Sequence, residues 1–486
     1  MRKLFALSFL LAVSGLPVTA QAVHMQSNAI EDSNLELISR AQAYKNRLSS
    51  NIEVLSLKDC IEKAINNNPE IVSNFNLIKS LEWSVIAKRR NWLPTFNLNS
   101  TAYGNATSEL YKSDKATSTD NSTTTNYIYT KPSLNVTWTF LRPSLPPSID
   151  SEIALLKAQR FTYDYTVRGL ILDVQTSYVN LQADLALINA YEQIYENNQK
   201  QVDYLTAQVD KGLATIGELA QSETTMYQQL GNLVTYQTNY LKEAANMAEL
   251  IGLKNDTLIF PDPNFSKIGT WKLSLSDSIA NALEAREEIK KFLQTAESNR
   301  WSARSLIKKY LPSLYITLTS SYQGLSGCSS IAWGTGCVGD NKLTTNQIDG
   351  QVYLGLNWEF DGGVDAARAN SLKATEESNL SLAENERTIV SKQVKTSFNQ
   401  FLSSQIEIDL ARKQLEQARL NLKVSRERLI VGIGDLTTVV QAQQLLASAV
   451  VAQVSAIQQY NLSVAQLYRA AAIFPPNVSS EILVSE

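Results

Sequence analysis

Apolar residues follow two rhythms along this chain, and the pair of rhythms occurs twice. From Leu57 and again from Leu275 they recur at helical spacing. Each stretch opens on a serine with a carboxylate three residues on, Ser56 with Asp59 and Ser274 with Asp277, the pattern of a capped helix start. Each reads as a helix running to about Trp92 or Tyr310 and ending at Leu-Pro, Leu93-Pro94 or Leu311-Pro312. Proline lacks the amide a helix needs and pushes the residue before it towards extended geometry. Beyond both prolines the period falls to two. Phe96 and Leu98 alternate with Thr95, Asn97 and Asn99; Leu314, Ile316 and Leu318 alternate with Tyr315, Thr317 and Thr319. The pattern predicts strands at 94–104, 127–140, 312–323 and 348–360. Thr/Ser/Asn-rich loops are expected at 105–126 and 324–347. Val136, Trp138 and Phe140 share one strand face. Ile348, Val352, Leu354, Leu356, Trp358 and Phe360 share another. About ten alternating residues with aromatics near the ends is the signature of a membrane β-strand.

After the strands the rhythm becomes a strict heptad. Val174, Leu181, Ile188, Tyr195, Val202 and Val209 recur every seven residues, as do Val394, Phe401, Ile408, Leu415, Leu422 and Leu429. A seven-residue period implies left-handed coiled packing. The span from Asp150 to Lys211 contains no proline and amounts to ~90 Å of helix. Gly212 and Gly432 mark where the long helices turn back. Beyond the turns, Leu219, Met226, Leu233, Tyr240 and Met247 keep the period, and Val439, Leu446, Gln453, Tyr460 and Leu467 follow it with one polar break.

The chain is therefore a tandem duplication. The first helices and the Leu-Pro junctions repeat at an offset of 218. The strand ends Val136-Thr-Trp-Thr-Phe140 and Leu356-Asn-Trp-Glu-Phe360, and everything after them, repeat at 220. Repeats of this kind decide the architecture. The division expected is a signal peptide at 1–22, a polar segment at 23–52, a first repeat at 53–252, a linker at 253–272, a second repeat at 273–474 and a tail at 475–486. The copies diverge where Leu141-Arg-Pro-Ser-Leu-Pro-Pro147 stands opposite Asp361-Gly-Gly363.

Composition narrows the function classes. A net charge of −3 over 486 residues gives no basic excess for nucleic acid. Arg2 and Lys3, the apolar run 4–13 and Ala20-Gln-Ala22 form a secretory signal cut after Ala22. No later stretch reads as apolar enough for a transmembrane helix. Of the three cysteines, Cys328 and Cys337 sit in a Gly-rich loop and form a candidate disulfide, with two free thiols as the alternative; Cys60 reads as a small buried residue. Gly334-Thr-Gly-Cys-Val-Gly339 matches a dinucleotide fingerprint, but no helix follows it. His24 is the only histidine. No catalytic, cofactor-binding or metal-ligating set is found, and Glu287-Glu288 and Glu376-Glu377 read as solvated helix faces.

The tandem halves, Leu-Pro junctions, Trp-x-Phe strand ends, Asp361-Gly-Gly363 and the turns Gly212-Leu-Ala-Thr-Ile-Gly-Glu218 and Gly432-Ile-Gly-Asp-Leu-Thr-Thr438 together resemble the TolC-like outer-membrane efflux protein family, over about residues 52–474. The resemblance implies a mainly α fold with a membrane β-barrel contribution. Each chain would supply four strands and long coiled-coil helices, and a homotrimer would close a β-barrel continued by an α-helical barrel. It implies an outer-membrane, periplasm-reaching exit duct of a tripartite efflux or type I secretion system. Its partners would be a periplasmic adaptor, an inner-membrane transporter and outer-membrane lipid, with no nucleic acid, cofactor or enzymatic activity. Gly212, Gly217, Glu218, Gly432, Gly434 and Asp435 would form the periplasmic tip turns. Thr438 and Gln441 stand where the family carries acids at its constriction. A non-channel exported coiled-coil scaffold or adhesin stalk is the rival reading.

Overall fold

The computed structural model describes residues 52–111, 121–253, 258–330 and 342–475. The signal peptide, most of the polar segment, nearly all of the C-terminal tail and Cys337, hence the candidate disulfide, lie outside the described residues. Elements follow one another as β1 (Ile52–Val54), α1 (Leu57–Asn67), α2 (Pro69–Arg90), β2 (Thr95–Tyr111), β3 (Asn121–Leu141), α3 (Leu145–Asp210) and α4 (Ile216–Ile251). The second round is β4 (Leu258–Phe260), α5 (Leu275–Ala285), α6 (Glu287–Ile307), β5 (Ser313–Ser330), β6 (Lys342–Asn357), α7 (Val364–Ile430) and α8 (Leu436–Ala470). Two compact units result. One takes the chain through Asn68 with Leu170–Trp271 and Phe398–Leu467; the other takes Pro69–Gly169, Lys272–Ser397 and the chain from Tyr468 onward. Each unit draws on both copies of the repeat.

In the first unit, β1 pairs in parallel with β4. The heptad positions Val174, Leu181, Ile188, Phe401, Ile408, Leu422 and Val439 are buried, each apolar side chain contributing about 1.5–3 kcal/mol. Two equivalent tyrosines pin the chain segments that follow α4. Tyr240 donates to the carbonyl of Ile259 at 2.9 Å, and Tyr460 to that of Gly269 at 3.0 Å. Cys60 is fully buried, and burial pushes its thiol up to about 12. At the end of α4, Gly252 adopts φ +73° and a Cβ there would lie 2.7 Å from the carbonyl oxygen of Asn67, so only glycine fits. Among the described residues one helix, Leu436–Ala470, is long and apolar enough to cross a membrane by length and composition, which corrects the expectation that no later stretch would be. Within it, Val439, Ala442, Val454 and Leu467 pack inside the protein.

The helix expected to run unbroken to each Leu-Pro is interrupted once in each copy. Asn68 is extended before Pro69, whose missing amide explains that break. Arg286 adopts nearly the same geometry with no proline after it. Here the side chain compensates. The Arg286 guanidinium donates to the terminal carbonyls of Arg469 and Ala470, at 3.3 and 3.4 Å. Within the first unit, Asn68 likewise donates to the carbonyl of Leu250 at 3.0 Å, the position equivalent to Ala470. A cluster of Ala282, Ile289, Val390, Val394 and Ala470 closes the second unit's core beside Arg286.

The same break overturns the reading of Glu287-Glu288 as a solvated face. Glu287 is 3% exposed and is paired with Arg168, which is itself buried, and with Arg469 at 3.7 Å. Glu288 accepts from Arg286 at 2.6 Å and from Arg469 at 3.2 Å. The Phe474 ring covers the Arg168 guanidinium at 3.9 Å, and Tyr165 lies 4.9 Å from that of Arg469. The helix break turns this acidic pair inward, towards cations brought by α3 and α8. Burying such charges is costly, and removing one partner leaves another stranded, at about 3–5 kcal/mol. Glu287→Gln is accordingly expected to lower the thermal unfolding midpoint of the detergent-solubilised protein markedly, whereas Glu377→Gln, on an exposed face, leaves it unchanged.

Candidate functional site

The second unit's sheet is antiparallel in the order β2-β3-β5-β6. Its register lines up one apolar and one polar face. Phe96, Val136, Leu318 and Val352 lie side by side, as do Trp138, Ile316 and Leu354; beyond a bulge in β3, Leu141, Leu314 and Leu356 make a further row. On the opposite face Thr95, Thr137, Thr317 and Tyr353 align, and then Asn97, Asn135, Thr319 and Gln351. The apolar face is not covered by protein: Leu98 and Ile348 are each 79% exposed and Phe96 70%. Along β6 it runs from Ile348 to Leu356, close to the nine to eleven residues of a membrane-spanning strand.

The strands differ from expectation in length. β2 reaches Tyr111, β3 begins at Asn121, β5 reaches Ser330 and β6 begins at Lys342, so they absorb much of what reads as loop. The register simply continues, for instance from Ser320↔Gly350 to Ser326↔Thr344. Beyond the apolar belt neither face is apolar, so the alternation that reveals a strand disappears while the ladder of hydrogen bonds persists. At the other end β6 stops at Asn357, leaving Trp358 and Phe360 beyond the strand. The two equivalent tryptophans anchor that end. Trp138 Nε1 donates to the carbonyl of Trp92 at 2.8 Å, and Trp358 Nε1 to that of Tyr310 at 2.9 Å. An indole with its N–H satisfied and its ring exposed suits a membrane interface.

The first unit carries both helix turns. Gly212 and Gly432 take φ +71° and +77°, and the amides after them, of Leu213 and Ile433, bond back to the carbonyls of Gln208 and Arg428. The caps that restart the helices are mirror assignments of one box. In the first turn Thr215 caps and Glu218 answers, accepting from the Thr215 amide at 2.8 Å. In the second, Asp435 caps and Thr438 answers: its amide donates to Asp435 Oδ1 at 3.0 Å and its hydroxyl to the same oxygen. The Thr438 hydroxyl and amide hold the Asp435 carboxyl below the usual carboxylate range, and Thr215 does the same for Glu218. Gly217 lies in the first turn of α4 and Gly434 just before Asp435. Thr438 and Gln441 are both exposed at the start of α8. Leu213, Ile216, Ile430, Val431 and Ile433 leave both turns with exposed apolar side chains, a feature the glycine-based reading of the turns overlooked.

These features agree with what comparison with known proteins finds. The model of the outer membrane efflux protein family matches residues 60–253 and 278–472. The chain belongs to this family. Its two matched segments correspond to the two copies of the repeat. The TolC outer membrane protein of Escherichia coli is 29% identical over 89 residues, 18% of each chain, and nodulation protein T of Rhizobium leguminosarum bv. viciae is 23% identical over 323 residues, 64% of this chain and 62% of that one. The chain spans less than two thirds of both relatives. The Campylobacter jejuni CmeC outer membrane channel shares the fold, with a TM-score of 0.65 and 18% identity, over 85% of each chain. The location is the outer membrane, and the apolar sheet face is the surface suited to its lipid.

An outer-membrane strand can be tested face by face. Leu354→Arg, in the middle of the apolar belt, should cost about 2–4 kcal/mol and sharply reduce the protein recovered folded in outer-membrane fractions. Gln351→Arg, on the polar face three residues along the same strand, should be recovered at the wild-type level.

Proposed function

We propose that this chain assembles as a homotrimer forming a passive outer-membrane exit duct for a tripartite efflux or type I secretion system. The observation that carries the reading is the four-stranded sheet with one exposed apolar face and two edge strands, β2 and β6. An edge in hydrocarbon leaves backbone amides and carbonyls unpaired at several kcal/mol each, so a membrane sheet must close. Four strands are too few to close on themselves, since small barrels use about eight. Three copies, each adding β2 of one chain to β6 of the next, satisfy every edge. The exposed apolar residues Leu402, Ile406, Leu410 and Leu420 on α7 support the same assembly, as a helix face that another copy would cover.

The family's general scheme places an adaptor and an inner-membrane pump at the helix turns. The exposed apolar residues of the two turns suit such docking, with glycines allowing close approach. Mass measurement of the protein in detergent should give three chains, and reconstitution in a planar bilayer should give a pore. A stable monomer in plain buffer would overturn the proposal and favour an exported coiled-coil scaffold or stalk.

We further propose that Thr438 and Gln441 line the narrowest part of the tip. Neither carries charge, so three copies make a ring with no carboxylates at those positions, and divalent cations should block the wild-type pore only weakly. Converging like charges in a constriction sum their fields. Gln441→Asp, which leaves the Asp435–Thr438 cap intact, should therefore increase cation block, and adding Thr438→Asp should increase it further. If both variants conduct and block like wild type, the constriction lies elsewhere.

A further inference from the structure

Where the polar sheet face meets the helix ends there is a cavity of about 780 Å³, of a size suited to a small-molecule ligand. From the sheet come Thr137, Thr139, Tyr315 and Asn357, all on the polar face. Around it stand four cations, Arg142, Lys308, Lys309 and Arg368, and three carboxylates, Glu359, Asp361 and Asp365. The acids are largely committed. Asp365 is bracketed by Lys309 at 3.1 Å and Arg368 at 3.5 Å. Asp361 accepts from the Tyr310 hydroxyl at 2.6 Å and from the amides of Gly363 and Asp365 at 3.0 and 2.7 Å, capping α7. The Tyr310 hydroxyl foremost holds that carboxyl below its ordinary range, so it remains an anion dedicated to the helix start. Among the described residues, Arg142 and Lys308 have no carboxylate within ion-pair distance, and they face the cavity with only Glu359 to oppose them.

The duplication makes this charge conspicuous. Arg142 occupies the position of Gly362 in the second copy. The first-copy equivalents of Lys309, Asp365 and Arg368 are Asn91, Leu145 and Ser148. Lys308 alone keeps its charge in the first copy, as Arg90; the other charged residues of the cavity stand at positions the repeat does not require to be charged. We propose that the cavity is an anion-binding subsite in the wall of the duct, for small molecules carrying carboxylate or phosphate groups. The inference rests on the trimeric duct, in which the polar sheet face lines the lumen. Three copies then present a ring with one net positive charge per chain, whose summed field raises the local concentration of passing anions.

The test is single-channel recording with citrate as the probe and glucose as the neutral control. Citrate should reduce wild-type current in a concentration-dependent way and glucose should not. Arg142→Ala with Lys308→Ala should raise the half-blocking citrate concentration about tenfold, at the low end of such field effects. Lys308→Ala alone should give a smaller shift in the same direction, and Glu359→Gln should lower the half-blocking concentration. Conductance in plain salt reports whether each variant has assembled. Equal citrate block in wild type and in conducting variants overturns the subsite and leaves the duct intact. If wild type forms no pore, the duct reading fails; calorimetric titration of citrate into detergent-solubilised wild type and Lys308→Ala then decides the subsite, and equal binding overturns it.

Discussion

A backbone amide in hydrocarbon must find its partner within the protein, and the organisation of this chain answers to that demand. The sheet β2-β3-β5-β6 presents an apolar face that no other element among the described residues covers, so lipid is its natural surroundings. Lipid offers no hydrogen bonds to the outer edges of β2 and β6. Closure through further copies is the proposed solution, and it would account for the four long strands among the described residues of so helical a chain. It also explains the ends of the belt. Trp138 and Trp358 spend their indole N–H groups on the carbonyls of Trp92 and Tyr310, leaving amphipathic rings where hydrocarbon gives way to water.

Duplication divides the residues into two kinds. Equivalent positions do equivalent backbone work. Asn68 and Arg286 both bridge a helix break to the end of a long helical hairpin, Tyr240 and Tyr460 both tether the chain that follows α4, and Gly212 and Gly432 both reverse a helix. Such tasks recur because the backbone follows the same course in each copy. Charge recurs less often: Glu288 matches Glu70 and Lys308 matches Arg90, but Arg142, Arg168, Arg286 and Arg469 stand opposite Gly362, Thr388, Asn68 and Glu249. The buried cluster of Glu287 and Glu288 with Arg168, Arg286 and Arg469 draws on both copies, and the ionic lining of the junction cavity comes mostly from the second. Even the turn caps exchange roles, Thr215 with Glu218 becoming Asp435 with Thr438. Backbone geometry tolerates several ways of satisfying the same amide, so the side chains that do it drift while the turn stays.

From the sequence alone, the order of the main elements, the duplication, the four long strands, the heptads, the turn glycines and the family were legible, but not the short pair β1 and β4. Each rests on local periodicity or on the special backbone chemistry of proline and glycine, and both survive without knowledge of distant contacts. What escaped depended on partners far along the chain. Gly324 to Ser330 reads as loop because neither face is apolar, yet register with β6 keeps it a strand. Arg286 has no proline to announce a break; carbonyls of Arg469 and Ala470, more than 180 residues away, stabilise it. Glu287 and Glu288 look like solvated charges until α3 and α8 bring arginines to them. In Leu436–Ala470, which apolar side chains are buried, such as Val439, Ala442, Val454 and Leu467, is evident only in the folded chain. The cavity of Arg142, Lys308 and Arg368 likewise gathers residues from separate elements. Local patterning therefore determined which elements form, and tertiary structure decided which charges are buried and which face a cavity, because burial and pairing depend on what the fold places opposite each side chain.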